Sequence, residues 1–167
     1  AVTAAGLAEA GFEVVGLDPS PEVIKGLRSG KAPLFEPGLD ALLEAGNRSK
    51  KLSWTTSVQD ALQGVDAVWV AFDTPVDEND QADVSWVRRQ IEALFDVIAT
   101  GSLMIVSSQA PVGFCRELEE SFQRKRPEAA LTVCCSPENL RLGTELEAFQ
   151  HPDRIVLGTR RPEDRSR

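Results

Sequence analysis

Short apolar runs alternate with longer amphipathic stretches along the whole chain. Residues 13–18, Glu13-Val14-Val15-Gly16-Leu17-Asp18, read as a strand, and so do 52–55, 67–72, 103–106, 131–135 and 154–158. Helices are predicted between them at 21–29, 36–46, 57–63, 84–99, 112–125 and 143–149, while the residues before 13 already read as helix and turn. The 84–99 stretch puts Val84, Val87, Ile91, Leu94 and Ile98 on one face, the spacing of a helix lying on a core. Pro33 and Pro37 mark a break between two helices, and Ser57 and Asp83 stand where N-caps belong. The run Ala67-Val68-Trp69-Val70-Ala71-Phe72 does not alternate, which predicts a strand buried on both faces. Repeated strand-then-helix order predicts an α/β fold with a parallel, doubly wound sheet.

One strand carries a chemical signal. In a βαβ dinucleotide-binding unit, an acidic residue ending the second strand accepts hydrogen bonds from the adenosine ribose. A strand and a G-x-G-x-x-G turn are expected about 20 residues earlier. Asp18 ends the 13–18 strand, yet residues 1–17 hold no such turn. The expectation is therefore a Rossmann-type sheet lacking its first, central strand and its glycine-rich turn. In the order 3-2-1-4-5-6 that strand belongs between 13–18 and 67–72.

Ligands of open α/β sheets bind beyond the carboxyl ends of the strands, so the residues following each apolar run matter most. These are Asp18-Pro19-Ser20-Pro21, Asp73-Thr74-Pro75, Ser107-Ser108-Gln109-Ala110-Pro111-Val112-Gly113 and Ser136-Pro137-Glu138-Asn139-Leu140-Arg141-Leu142-Gly143. Polar residues and rigidifying prolines recur in these four loops, which marks a site. The segment 77–83 superficially resembles a calcium loop, but Ala82 stands where a glycine is needed and Arg88 where the last glutamate belongs. No metal site is expected. His151, the single histidine, sits in a His-Pro-Asp connection and reads as structural.

Composition narrows the class. The chain has 167 residues, a net charge of −8 and a pI near 4.7, which argues against general nucleic-acid binding. The three cysteines, Cys115, Cys134 and Cys135, lack metal-site spacing and fit a reducing cytoplasm. No apolar run approaches the length of a membrane span. The expected organisation is a partial nucleotide-binding domain over 1–159, with 160–167 beginning a connection to further domains.

The strand-end loops carry a resemblance. Val2-Thr3-Ala4-Ala5, Phe35-Glu36-Pro37-Gly38-Leu39, Asp73-Thr74-Pro75, Pro111-Val112-Gly113, Ser136-Pro137-Glu138 and His151-Pro152-Asp153-Arg154-Ile155-Val156-Leu157-Gly158 occur in order along the chain. Together they resemble the N-terminal NAD-binding domain of the UDP-glucose/GDP-mannose dehydrogenase family. Within it, members that oxidise UDP-glucose to its uronate are the nearest likeness. The resemblance implies NAD as cofactor, a nucleotide-sugar substrate, a homo-oligomeric full-length enzyme and two hydride transfers through a cysteine thiohemiacetal. The cysteine lies in a later domain of the family, and none of Cys115, Cys134 and Cys135 has its glycine-rich context. The fragment is thus expected to be inactive alone.

The same resemblance implies residue roles. Asp18 faces the ribose diol and disfavours the 2′-phosphate of NADP. Thr74, Pro75 and Gln109 lie beside the cofactor, Gln109 standing where the family carries a threonine near a water. Glu138 is the catalytic carboxyl that manages protons, and Asn139, Leu140, Arg141 and Leu142 line the sugar pocket. Leu142 replaces a second glutamate common in the family. Two rivals remain: a non-catalytic nucleotide-binding or interaction module, and a methyltransferase, which shares the acidic strand end but not Pro111-Val112-Gly113 with Ser136-Pro137-Glu138.

Overall fold

The computed structural model describes residues 1–137 and 141–166. The chain divides into two compact units, residues 1–63 with 139–154 and residues 64–138 with 155–167.

In the first unit α1 (Val2–Glu9) leads into β1 (Val14–Leu17), then α2 (Pro21–Arg28), α3 (Leu39–Ser49), β2 (Leu52–Thr55) and α4 (Val58–Leu62). β1 and β2 pair in parallel, with Val14 opposite Leu52 and Leu17 opposite Thr55. Parallel neighbours need a crossover, which α2 and α3 supply. Apolar residues from these elements, among them Ile24, Leu27, Leu39, Leu43 and Trp54, make one core. Trp54 donates its indole N–H to Asn47 Oδ1 at 2.9 Å, so its polar atom is satisfied inside the unit. Ser20 caps α2 by accepting from Val23 N–H, and Ser57 caps α4 by accepting from Asp60 N–H.

The second unit contains β3 (Ala67–Val70), α5 (Val84–Glu92), β4 (Ser102–Val106), α6 (Phe114–Lys125) and β5 (Leu131–Cys135). Its three strands run parallel in the order β3-β4-β5. Val87, Ile91, Leu94 and Ile98 are all buried, as their spacing requires. The helix itself stops at Glu92, and 93–98 continues as tighter turns, with Leu94 N–H donating to Ile91 and Phe95 N–H to Glu92. Phe95 meets Phe122 of α6 edge to face, ring centroids 5.2 Å apart.

A seventh helix, α7 (Glu145–Gln150), belongs to the first unit, and a short 3-10 helix (Pro162–Ser166) to the second. The described strands form two parallel sheets, β1-β2 in the first unit and β3-β4-β5 in the second.

Two expectations need correction. Residues 154–158 form no strand; only Gly158 reaches a partner, in one antiparallel bridge with Cys135, and Ile155, Val156 and Leu157 are exposed. Apolar, β-branched residues favour extended backbone, but a strand exists only where a neighbour supplies the ladder. β3 is not buried on both faces: Ala67 is exposed, and Val68 and Trp69 only half-buried. It is an outer strand of its own sheet, which a run of apolar residues does not reveal. Arg160 and Arg161 are exposed and also make ion pairs. Arg160 pairs with Glu119 at 3.4 Å, and Arg161 donates from both Nε and Nη2 to the buried Asp164.

Candidate functional site

Within the first unit, Asp18 follows the last residue of β1. Its backbone N–H donates to Thr55 O at 3.2 Å, extending the ladder by one rung. Its Oδ1 accepts from Ser20 N–H at 2.8 Å, and Ser20 in turn caps α2. The turn that starts the helix therefore also fixes the carboxylate, leaving Oδ2 without a partner among the described residues. A half-buried carboxylate with one oxygen anchored and one free is what recognition of a ribose diol requires.

In the second unit, Thr74 and Gln109 come together. Thr74 Oγ1 donates to the Gln109 carbonyl at 2.7 Å, joining the loops that follow β3 and β4. Pro75 accepts from Asp83 N–H at 2.7 Å, and Asp83 caps α5 through Trp86 N–H, as its position predicted. Pro75 thereby holds its loop to the start of a helix. The segment 77–83 is organised by Asp77, whose Oδ1 accepts from Asn79 N–H and Gln81 N–H.

Ser107 and Ser108 belong to the loop that follows the 103–106 strand. The N-cap of α6 is Gly113, and Ser107 Oγ accepts from the Trp69 indole N–H at 2.7 Å. Ser108 differs from every other described residue, since its Oγ is buried and has no hydrogen-bond partner. An unmade bond at a buried hydroxyl costs about 1–3 kcal/mol, so a native chain retains one where something else completes it. Its place at the carboxyl end of β4 was legible, whereas its lack of a partner was not.

Glu138, Asn139 and Leu140 lie outside the described residues. Arg141 and Leu142 are exposed in a turn that Thr144 N–H closes on Arg141 O at 3.0 Å. The structure puts Asp18 and the Arg141–Leu142 turn in the first unit, and Thr74, Pro75 and Gln109 in the second. Among the described residues no group of His, Cys, Asp and Glu is arranged to hold a metal, and no helix is long and apolar enough to cross a membrane.

Parallel strands joined by crossover helices, present in each unit, make this an α/β fold of the Rossmann class. The comparison with known proteins narrows this. Residues 1–167 match the family described as "UDP-glucose/GDP-mannose dehydrogenase family, NAD binding domain", and the chain belongs to that family. NAD is the cofactor of this domain; taken by itself, the Asp18 carboxylate of the first unit keeps one oxygen open to a ribose hydroxyl, as such a ligand needs.

The chain is 34% identical over 161 residues to a UDP-glucose 6-dehydrogenase of Rhizobium meliloti (strain 1021), covering 96% of this chain and 37% of that protein. It is 32% identical over 162 residues to a UDP-glucose 6-dehydrogenase of Pseudomonas aeruginosa, covering 95% and 36%. The chain therefore spans little more than a third of these relatives. A UDP-glucose dehydrogenase structure from Pyrobaculum islandicum aligns with a TM-score of 0.89 at 32% identity, over 99% of this chain and 39% of the other. A GDP-mannose dehydrogenase from Pseudomonas aeruginosa, solved as a ternary complex, aligns at 0.90 and 26% identity, again over 99% and 39%.

Proposed function

We propose that the chain is the cofactor-binding part of a cytoplasmic enzyme that oxidises the primary alcohol of UDP-glucose to a carboxylate, and that it is inactive alone. The observation that carries this reading is the identity of 34% and 32%, over nearly the whole chain, to two UDP-glucose 6-dehydrogenases. NAD, when bound, supplies the hydride acceptor. Asp18 accepts from the adenosine ribose hydroxyls through Oδ2 and repels a 2′-phosphate, which selects NAD over NADP. Thr74 and Pro75 shape the loop beside the cofactor, and Gln109 offers its amide to a water there. Glu138 serves as general acid and base at the sugar, with Asn139, Leu140, Arg141 and Leu142 around it. Leu142 leaves that pocket with one carboxylate fewer than relatives that carry a second glutamate.

Two of the three thiols support inactivity of the isolated chain. Burial first, and then the neighbouring Cys135, push the Cys115 thiol up to about 12, and burial raises Cys134 as well. Both shifts disfavour the thiolate, which is the nucleophilic form.

A chimera tests the reading: the matched stretch of the Rhizobium meliloti relative is replaced by this chain, and NADH formation is followed by absorbance. Turnover with UDP-glucose and NAD, lost on Glu138→Gln with NAD affinity kept, is the expected outcome. A folded chimera that binds NAD but oxidises no nucleotide sugar would favour the non-catalytic binding module. The isolated chain should form no NADH under the same conditions.

A further inference from the structure

The turn Phe35-Glu36-Pro37-Gly38 contains a contradiction in exposure. Phe35 is 85% exposed, whereas the next residue, Glu36, is 6% exposed. A carboxylate leaves water only at a cost of several kcal/mol unless hydrogen bonds compensate. Here the compensation comes from a segment more than a hundred residues away. Glu36 Oε2 accepts from Gly143 N–H at 2.7 Å, and Oε1 accepts from Leu146 N–H at 3.2 Å.

Leu146 N–H is among the first N–H groups of α7, which lack partners within the helix, and Gly143 stands just before the Thr144 N-cap. Thr144, at the N-cap, makes no side-chain capping bond; its Oγ1 donates back to Arg141 O instead. Glu36 thus supplies from a distance what a local cap would supply nearby. The difference is mechanical. A local cap stabilises a helix wherever it lies, whereas a carboxylate fixed just before α3 also decides where the helix start lies. Gly143 has φ +88°, the left-handed conformation glycine adopts readily, so its N–H turns toward Glu36 without strain. The rest of α7 is seated independently. Leu146 enters the core of the first unit, and a Cβ at Gly6 of α1 would lie 2.5 Å from the Phe149 ring, so only glycine permits that approach. Helix seating therefore does not require the carboxylate, which leaves the Arg141–Thr144 turn as what it sets.

We propose that Glu36 is a positioning residue for nucleotide-sugar binding: it clamps the Arg141–Thr144 turn to the first unit, so that Arg141 and Leu142 meet the substrate in one fixed arrangement. This rests on the functional reading above, which puts those two residues at the sugar. Glutamine fits the same space but has one acceptor oxygen, and its NH2 group faces a backbone donor, so Glu36→Gln breaks one of the two bonds.

Two measurements test it, with Leu146→Ala as a variant that loosens α7 through the core alone. In the 167-residue chain, amide hydrogen exchange at Gly143 and Leu146 should quicken about tenfold in Glu36→Gln, the loss of one charge-assisted bond. In the chimera, Glu36→Gln should raise KM for UDP-glucose about tenfold with KM for NAD unchanged. Leu146→Ala, at a matched fall in melting temperature, should leave both KM values in place. Unchanged exchange in Glu36→Gln would remove the clamp even if the chimera works. Equal KM changes in the two variants would reduce Glu36 to a stabilising residue. Absence of turnover in the parent chimera, with exchange altered as expected, would strike the substrate role and the functional reading while leaving the clamp standing.

Discussion

Each unit of the molecule holds one loop with a carboxylate that accepts from two backbone amides, but at opposite depths. In the first unit Glu36 is buried and joins segments over a hundred residues apart. In the second, Asp77 is exposed and joins residues two and four positions away. The geometry is alike and the consequence is not. A buried charge left with a missing partner has no water to turn to, so its bonds are expensive to break. An exposed one exchanges protein amides for water at little cost. The first unit thus spends its carboxylate on the relation between distant segments, and the second on the shape of one local loop.

The units also carry their own cores and reporters, which gives the widest test of the comparison. Leu43 is fully buried in the first unit, and Phe122 in the second, packed on Phe95 with the Arg126 guanidinium over its ring. Leu43→Ala should cost about 2–5 kcal/mol and Phe122→Ala about 3–5 kcal/mol. Trp54 reports the first unit through its bond to Asn47, and Trp69 the second through its bond to Ser107. With the indole N–H signals followed by NMR during heating, Leu43→Ala should lose Trp54 first and Phe122→Ala should lose Trp69 first. Simultaneous loss of both signals in both variants would show that the two units melt as one, and the contrast between them would fail.

Ser108 gives a smaller effect of unusual sign. Removing a hydroxyl that has no partner relieves a desolvation cost, so Ser108→Ala should melt at the same temperature as the parent or up to about 1 kcal/mol more stably. If the hydroxyl is kept for a ligand, NAD binding to the chimera should weaken about fivefold, the worth of one neutral hydrogen bond. Unchanged affinity would mean that the orphaned group serves nothing at the cofactor. The variant separates the units in a second way, because no comparable unspent buried polar atom occurs in the described part of the first.

Local features were legible in the sequence, and long-range ones were not. Ser57 and Asp83 cap the helices they were expected to cap, because a cap involves residues three apart. Residues 52–55 and 131–135 form strands over those spans, since both have a neighbouring strand to pair with. Residues 154–158 show the same apolar, β-branched character and lack such a neighbour, so character alone misled. Asp18 was recognisable because strand end and acid adjoin in the chain. Glu36 was visible only as part of a family-like stretch, for a glutamate beside an exposed phenylalanine gives no sign of burial. Its partners at Gly143 and Leu146 are a property of the fold, as is the missing partner of Ser108.

The smallest effect belongs to Asp77, and its sign can be worked out. Hydrogen bonds from the Gln81 and then the Asn79 backbone hold its carboxyl below the ordinary 3.8. A folded-state pKa below the unfolded one stabilises the loop only while the carboxylate is ionised. That contribution is present above the unfolded value and is lost as pH falls through the folded one. The Asn79 and Gln81 amide signals should therefore titrate together, with a midpoint below 3.8. Asp77→Asn should abolish the titration at Asn79 and Gln81 and leave the melting of Trp69 at neutral pH unchanged, because an exposed clamp contributes little to its unit. A midpoint at or above 3.8 would mean that the two amides do not favour the charged form. A marked drop in Trp69 melting would show the exposed carboxylate holding its unit as firmly as the buried one, and depth would no longer distinguish them.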